Sequence, residues 1–249
     1  MQENERLQIN RAETKLHARK VMREAKPNVI FASLIYVLLA VVVGTLSLRL
    51  TGVSSETLSK MMELSENGNM DAAVNMMMRQ LPGPGPGIID LLLRVALRVV
   101  EIGFVLFTMN MVRKTGAEIG NLLDGFGMLP RLLVLLLLEY ILISLWSLLF
   151  IIPGIVASYR YRFAVYLLLD HPEMSPVECL RESKRMTYGY KWQLFTLDLS
   201  FLLWILASGI PLIGYAIRVY ATPYFETTRV LYYEQIRLYT APQVLYMPY

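Results

Sequence analysis

The sequence predicts an all-α polytopic membrane helix bundle of about six transmembrane helices, with both termini cytoplasmic. Three observations predict it. The 249 residues are 55% hydrophobic and only 18% charged, against about a quarter charged in an ordinary soluble domain. Several apolar runs reach the roughly 20 residues that a helix needs to cross a bilayer. Lys and Arg are also unevenly placed between the segments that join those runs.

The expected spans are 28–48, 88–112, 129–152, 154–170, 192–210 and 211–233. Residues 1–27 form a basic cytoplasmic segment, and 28–48 reads as an uncleaved first span because no A-x-A site follows it. The apolar run 130–170 is about 60 Å long as one helix, twice the hydrocarbon thickness, so it must fold back. Pro153-Gly154 is the expected break, and "SGIPLIG" at 208–214 the expected break between the last two spans. The domain core is then 28–235, and 236–249 a C-terminal tail. Sixteen Lys and Arg fall in the segments assigned inside and three (Arg49, Lys60, Arg79) in those assigned outside. This is the positive-inside asymmetry of an inner, multi-pass membrane protein.

The outer segment 50–87 holds six methionines, Met61, Met62, Met70, Met76, Met77 and Met78. Thioethers can bind Cu(I), but no Cys or His accompanies them. Two short helices split by Asn67-Gly68, forming an amphipathic cap, are expected there, with "PGPGPG" as an extended lead-in to the second span. On the inner side, Ser175-Pro176-Val177-Glu178 is a capping box. It starts a basic helix over 175–187, expected to lie along the leaflet. Arg181, Lys184, Arg185, Lys191 and Trp192 are its candidate lipid head-group contacts. A merely solvated connector is the alternative.

Ten ionisable residues fall inside the expected spans: Asp90, Arg94, Arg98, Glu101, Glu139, Arg160, Arg162, Asp198, Arg218 and Glu226. Five cations and five anions suggest a paired network, since an unpaired charge in a bilayer costs at least about 2.5 kcal/mol. Asp90, Arg94, Arg98 and Glu101 are spaced four, four and three, which places them within about 80° on one helix face. Arg160 and Arg162 lie about 200° apart on a continuous helix. One is expected to join the acids and the other to snorkel.

The segments "SLLFIIPGI", "SPVECLRESKRMTYGYKWQLFTLDLSFLLWIL" and "TPYFETTRVLYYE" resemble the bacterial integral membrane family known as domain of unknown function 975. The resemblance covers about 88–235. It is similar in turn to the membrane portion attached to some glycerophosphodiester phosphodiesterases, whose catalytic domain has no counterpart here. It implies a bacterial cytoplasmic-membrane protein and brings no catalytic residues.

No metalloprotease helix, nucleophile elbow, phosphate-binding glycine loop or zinc spacing occurs. The residues therefore lean away from an enzyme, with a carboxylate-only hydrolase at Glu101 or Glu139 as a minor alternative. No catalytic residue, metal site or cofactor is expected, and membrane lipids rather than nucleic acid are the expected partner. The expected role is a non-enzymatic lipid-interacting or membrane-assembly module. The alternative is a small-solute or lipid transporter with an intramembrane charged cavity. Whether Arg94, Arg98, Glu101 and Glu139 line a cavity or a dry core separates the two.

Overall fold

The computed structural model describes residues 7–51, 55–79, 83–210 and 213–240, and every regular element among them is helical. Arg6, Pro211 and the tail beyond Thr240 lie outside the described residues.

Helix α1 (Arg11–Glu24) starts on Asn10, whose Oδ1 accepts from the amides of Ala12 and Glu13. Thr14, Ala18 and Met22 recur every four residues and are its buried stripe, packed on the last helix of the chain. The basic leader is thus a docked helix. Helix α2 (Val29–Thr51) is almost wholly apolar and packs on the helices that later lead and end the bundle.

Helices α3 (Ser55–Glu66) and α4 (Met70–Arg79) form the expected outer pair, turning at Gly68 with φ +73. The "PGPGPG" segment is a correction. Helix α5 (Pro84–Arg113) begins inside it, with Pro84 in its first turn. Proline needs no amide partner there, so the helix absorbs the repeat instead of waiting for its end. At the other end Lys114 closes the helix in the left-handed region, φ 58.

Helix α6 (Asn121–Asp124) and a 3₁₀ turn lead into α7 (Leu129–Leu149). The fold-back after α7 falls at Phe150, which is extended (φ −160, ψ 150), not at Pro153-Gly154. Pro153 and Gly154 lie within α8 (Ile151–Arg160), where proline again fits the first turn. Gly154 has a packing role: a Cβ there would meet Ser147 Oγ at 2.1 Å and Ser147 Cα at 2.9 Å. The α7–α8 hairpin closes because that atom is absent.

Two expected spans are not continuous. The fourth is α8 followed, after Tyr161–Phe163, by α9 (Ala164–Asp170). After α10 (Pro176–Met186), the fifth is α11 (Lys191–Leu199) and α12 (Leu202–Ala207), parted at Ser200-Phe201. Helix α13 (Ile213–Thr240) runs through Pro223 and ends the described chain. Two stretches, Val29–Leu50 and Asn121–Leu149, are long and apolar enough to cross a membrane. Helix α5 is longer, about 45 Å, but carries the four-residue charged stripe.

The core lies where α5, α9, α10 and α13 meet. Phe104, Phe107, Phe163, Tyr224, Tyr232 and Tyr233 are fully buried there. The rings of Phe163, Tyr166 and Tyr233 meet edge-to-face or tilted at 5.2–5.8 Å, the spacing of favourable aromatic pairs. At Gly103, where α5 meets α6, a Cβ would lie 2.2 Å from the backbone oxygen of Leu122. A backbone atom cannot rotate away, so Gly103→Ala should lower detergent stability by about 1–3 kcal/mol. Gly127→Ala, with open space around it, should leave the thermal midpoint nearly unchanged; equal midpoints for both would refute this account of the contact.

Candidate functional site: an ion-lined cavity between helices

The site begins with a helix break. At Tyr161–Phe163 the i→i−4 ladder lapses, and two backbone groups need other partners. Ser183 of α10 supplies both. Its Oγ accepts from the Phe163 amide at 3.0 Å and donates to the Arg160 carbonyl at 3.0 Å. Thr187 Oγ1 stands 3.1 Å from the same carbonyl.

Helix α10 is therefore not a merely solvated connector: it packs on α7 and α9. Cys179, Leu180, Ser183 and Met186 are buried, while Val177 is exposed. The capping box is present, with Ser175 and Glu178 bonded reciprocally. Hydrogen bonds from the Ser175 backbone and hydroxyl hold the Glu178 carboxyl below its usual range. Burial pushes the Cys179 thiol up to about 11, so it is neutral at pH 7 and has no nucleophilic character.

Beyond the break, Arg162 turns to Asp198 on α11, at 2.8 Å. Asp198 also accepts from Tyr159 Oη at 3.1 Å and from Arg229 of α13 at 3.3 Å. Arg229 lies 3.8 Å from Glu226, which in turn accepts from Tyr166 Oη at 2.5 Å. On α5, Arg98 pairs with Glu101 at 2.7 Å. These groups converge on a cavity of about 280 Å³ lined by Arg98, Glu101, Glu139, Arg162, Tyr166, Glu226 and Arg229, with Ser158 and the apolar Ile102, Val105 and Val165. Three cations and three anions from four separate stretches of chain thus share one opening.

Glu139 is the exception to the pairing. Among the described residues it has no ion pair; Arg98 and Arg162, which line the same cavity, are the cations whose field reaches it. Arg229 has a complementary surplus, since its Nε is buried without a hydrogen bond.

The remaining ionisable candidates lie elsewhere. Arg94 is 62% exposed and pairs with Asp90 at 2.8 Å, away from the cavity. Arg160 sets its guanidinium over the Trp146 ring at 5.7 Å, and Arg218 over Tyr215 at 5.7 Å, beside a separate groove between α2 and α13. Among the head-group candidates, Arg185 is taken by Glu182 and by the Thr240 carbonyl. Trp192 is 72% exposed. Burial and the fields of Arg160 and Lys184 lower the Lys191 pKa.

Sequence reasoning missed a second cluster. Arg113, at the end of α5, bonds both Asp170 oxygens at 2.5 and 2.8 Å and also reaches Glu234. Tyr233 donates to Asp170 at 2.6 Å, and Arg237 pairs with Glu234 at 2.8 Å. Burial opposes the Arg113 charge, but the bonds from Asp170 and Glu234 outweigh it and hold its pKa above the usual range. Arg113 and Arg237 read as loop charges because they follow the last apolar residues of their helices. Arg229, near the inner end of the expected span 211–233, reads as one of the inner-side cations. Among the described residues, no group of three or more His, Cys, Asp or Glu is placed to hold a metal.

Residues 148–239 match the model of a family described as protein of unknown function (DUF975). The resemblance to that family is thus shown, over a shorter stretch than the sequence motifs suggested. The match begins at the end of α7 and includes the helix break, Ser183, Arg162, Asp198, Glu226 and Arg229, but not Arg98, Glu101 or Glu139. No curated protein and no solved structure matches the chain.

Ser183→Ala leaves the Phe163 amide without its partner and the Arg160 carbonyl with Thr187 Oγ1 alone. It should cost about 1–3 kcal/mol, the penalty for an unsatisfied buried group, read as a fall in the thermal midpoint. A midpoint equal to that of the parent would mean the break is held by something other than this hydroxyl. A double-mutant cycle of Arg162→Gln and Asp198→Asn should be non-additive by about 1 kcal/mol or more; strict additivity would remove the coupling.

Proposed function

We propose that this chain is a multi-pass protein of a bacterial cytoplasmic membrane, with the six-span domain 28–235 and both ends inside, and that its ion-lined cavity binds a small bipolar solute. The carrying observation is that Glu139 stands unpaired in a cavity where every neighbouring acid already has a partner. A free carboxylate and spare guanidinium N–H groups suit a ligand that brings one positive and one negative group. About 280 Å³ is at the small end of ligand pockets.

The membrane reading is supported by the exposed apolar girdle at the α7–α8 turn, where Leu148, Phe150, Ile151 and Ile152 are each 68–86% exposed. A soluble monomer does not leave such a patch in water. The sixteen-to-three distribution of Lys and Arg supports the orientation. An assembly module needs no open cavity of converging charges, so the cavity moves the weight to solute binding, with transport as the corresponding activity.

Glu139→Gln removes the free charge and leaves the Arg162–Asp198 pair intact. Mass spectrometry of small molecules retained on the purified protein should show a polar solute on the parent, reduced about tenfold or more in the variant, as for a charged contact of about 1.4 kcal/mol or above. Equal retention, or none on either protein, would contradict solute binding at Glu139. For the orientation, a single cysteine at Lys184 in a Cys179→Ser background should label only after the membrane is opened. Labelling from outside intact cells would overturn it.

A further inference from the structure

We infer that the cleft between α1 and α11 holds the phosphate group of an anionic phospholipid, an inference that rests on the membrane reading above. The cleft has a volume of about 650 Å³, and Arg11, Lys15, Trp192, Gln193, Thr196 and Ser200 form most of its wall. No carboxylate lines it. Arg11 donates one N–H to the Thr196 carbonyl at 3.3 Å, and Lys15 donates to the Ser200 carbonyl at 3.1 Å while standing 3.9 Å from the centre of the Phe201 ring. Both keep spare donors, and neither has an ion pair among the described residues.

Arg11, Lys15 and Arg19 recur every four residues, so they form one stripe of α1. Arg19 lies over the Tyr224 ring at 5.2 Å. Three cations are thus answered by carbonyls and ring faces, with their mutual repulsion left uncompensated. Burial, then the fields of Arg11 and Arg19, lower the Lys15 pKa; an anion between them would reverse that trend. The one acid nearby on α11, Asp198, is taken by Arg162 and Arg229.

The cleft is also built in advance. Gln193 accepts from the Ile9 amide at 3.3 Å and donates to the Leu7 carbonyl at 3.0 Å, tying the entry of α1 to α11. A lipid suits it better than a soluble anion because exposed Trp192 lines it and Leu16 is exposed on α1. Cations beside an interfacial tryptophan are the usual dress of a segment that meets head groups.

Native mass spectrometry of the full chain in detergent, titrated with dioleoyl phosphatidylglycerol or dioleoyl phosphatidylcholine, tests this. The parent should prefer phosphatidylglycerol. Arg11→Gln/Lys15→Gln should weaken that binding about tenfold or more, as two cations near an anionic surface imply. Arg11→Lys/Lys15→Arg should keep the preference, and so should Arg181→Gln/Lys184→Gln on α10. Equal phosphatidylglycerol affinity in the parent and the neutral variant would overturn the site, as would an equal loss in the α10 variant. Should the neutral variant not fold, the parent decides: no preference for phosphatidylglycerol, or stabilisation by millimolar inorganic phosphate equal to that by the lipid, overturns it. Glu139→Gln should keep the lipid, so failure of the solute reading is distinguishable from failure of this one.

Discussion

The Ser183 hydroxyl, set between the Arg160 carbonyl and the Phe163 amide, is the contact on which the rest of the arrangement depends. A helix that stops in an apolar surrounding leaves backbone groups bare, and each costs several kcal/mol without a partner. Helix α10 brings that partner from outside the broken helix. Its capping box fixes where it starts, and its buried stripe of Cys179, Leu180, Ser183 and Met186 fixes its rotation. Once the break is satisfied, α8 and α9 need not share an axis. Arg162 then reaches Asp198, while Arg160 is left to the Trp146 ring.

The cavity follows from how the charges are shared. Asp198 serves two arginines and a tyrosine, and Glu226 serves Arg229 and Tyr166. A buried carboxylate is stable only when its lone pairs are filled, and here each is filled by groups from different helices. The Arg113, Asp170, Tyr233 and Glu234 cluster does the same work where α5, α9 and α13 end together. Between these two fixed points the cavity walls have little freedom, and Glu139 on α7 is the acid left without a partner. The α1–α11 cleft shows the opposite imbalance, cations without acids.

The all-helical class, the α3–α4 helix pair, the hairpin after α7 and the capping box were legible because each has a local signal: composition, Asn-Gly, excess length and Ser-x-x-Glu. The turn was misplaced by three residues because Pro153 suits a first helical turn as well as a stop, and hydropathy cannot tell these apart. The broken helices were not legible. The break between α8 and α9 depends on Ser183 and Thr187, twenty or more residues away in sequence, and periodicity reports nothing about such partners. In the site, the stripe on α5 could be read from spacing, yet only half of it faces the cavity: Arg98 and Glu101 line it, and Asp90 and Arg94 pair outside. Arg229 was hidden because a cation near the inner end of a span counts toward orientation, and spacing alone does not show that it turns back to Asp198 and Glu226.

The most direct measurement is the reach of water to Glu139. In a Cys179→Ser background, Glu139→Cys should react with a small charged methanethiosulfonate reagent at a rate close to that of a cysteine on an exposed loop, because the cavity is open and ionic. Protection of that cysteine under conditions that modify the loop control would show a dry, paired interior and contradict the account.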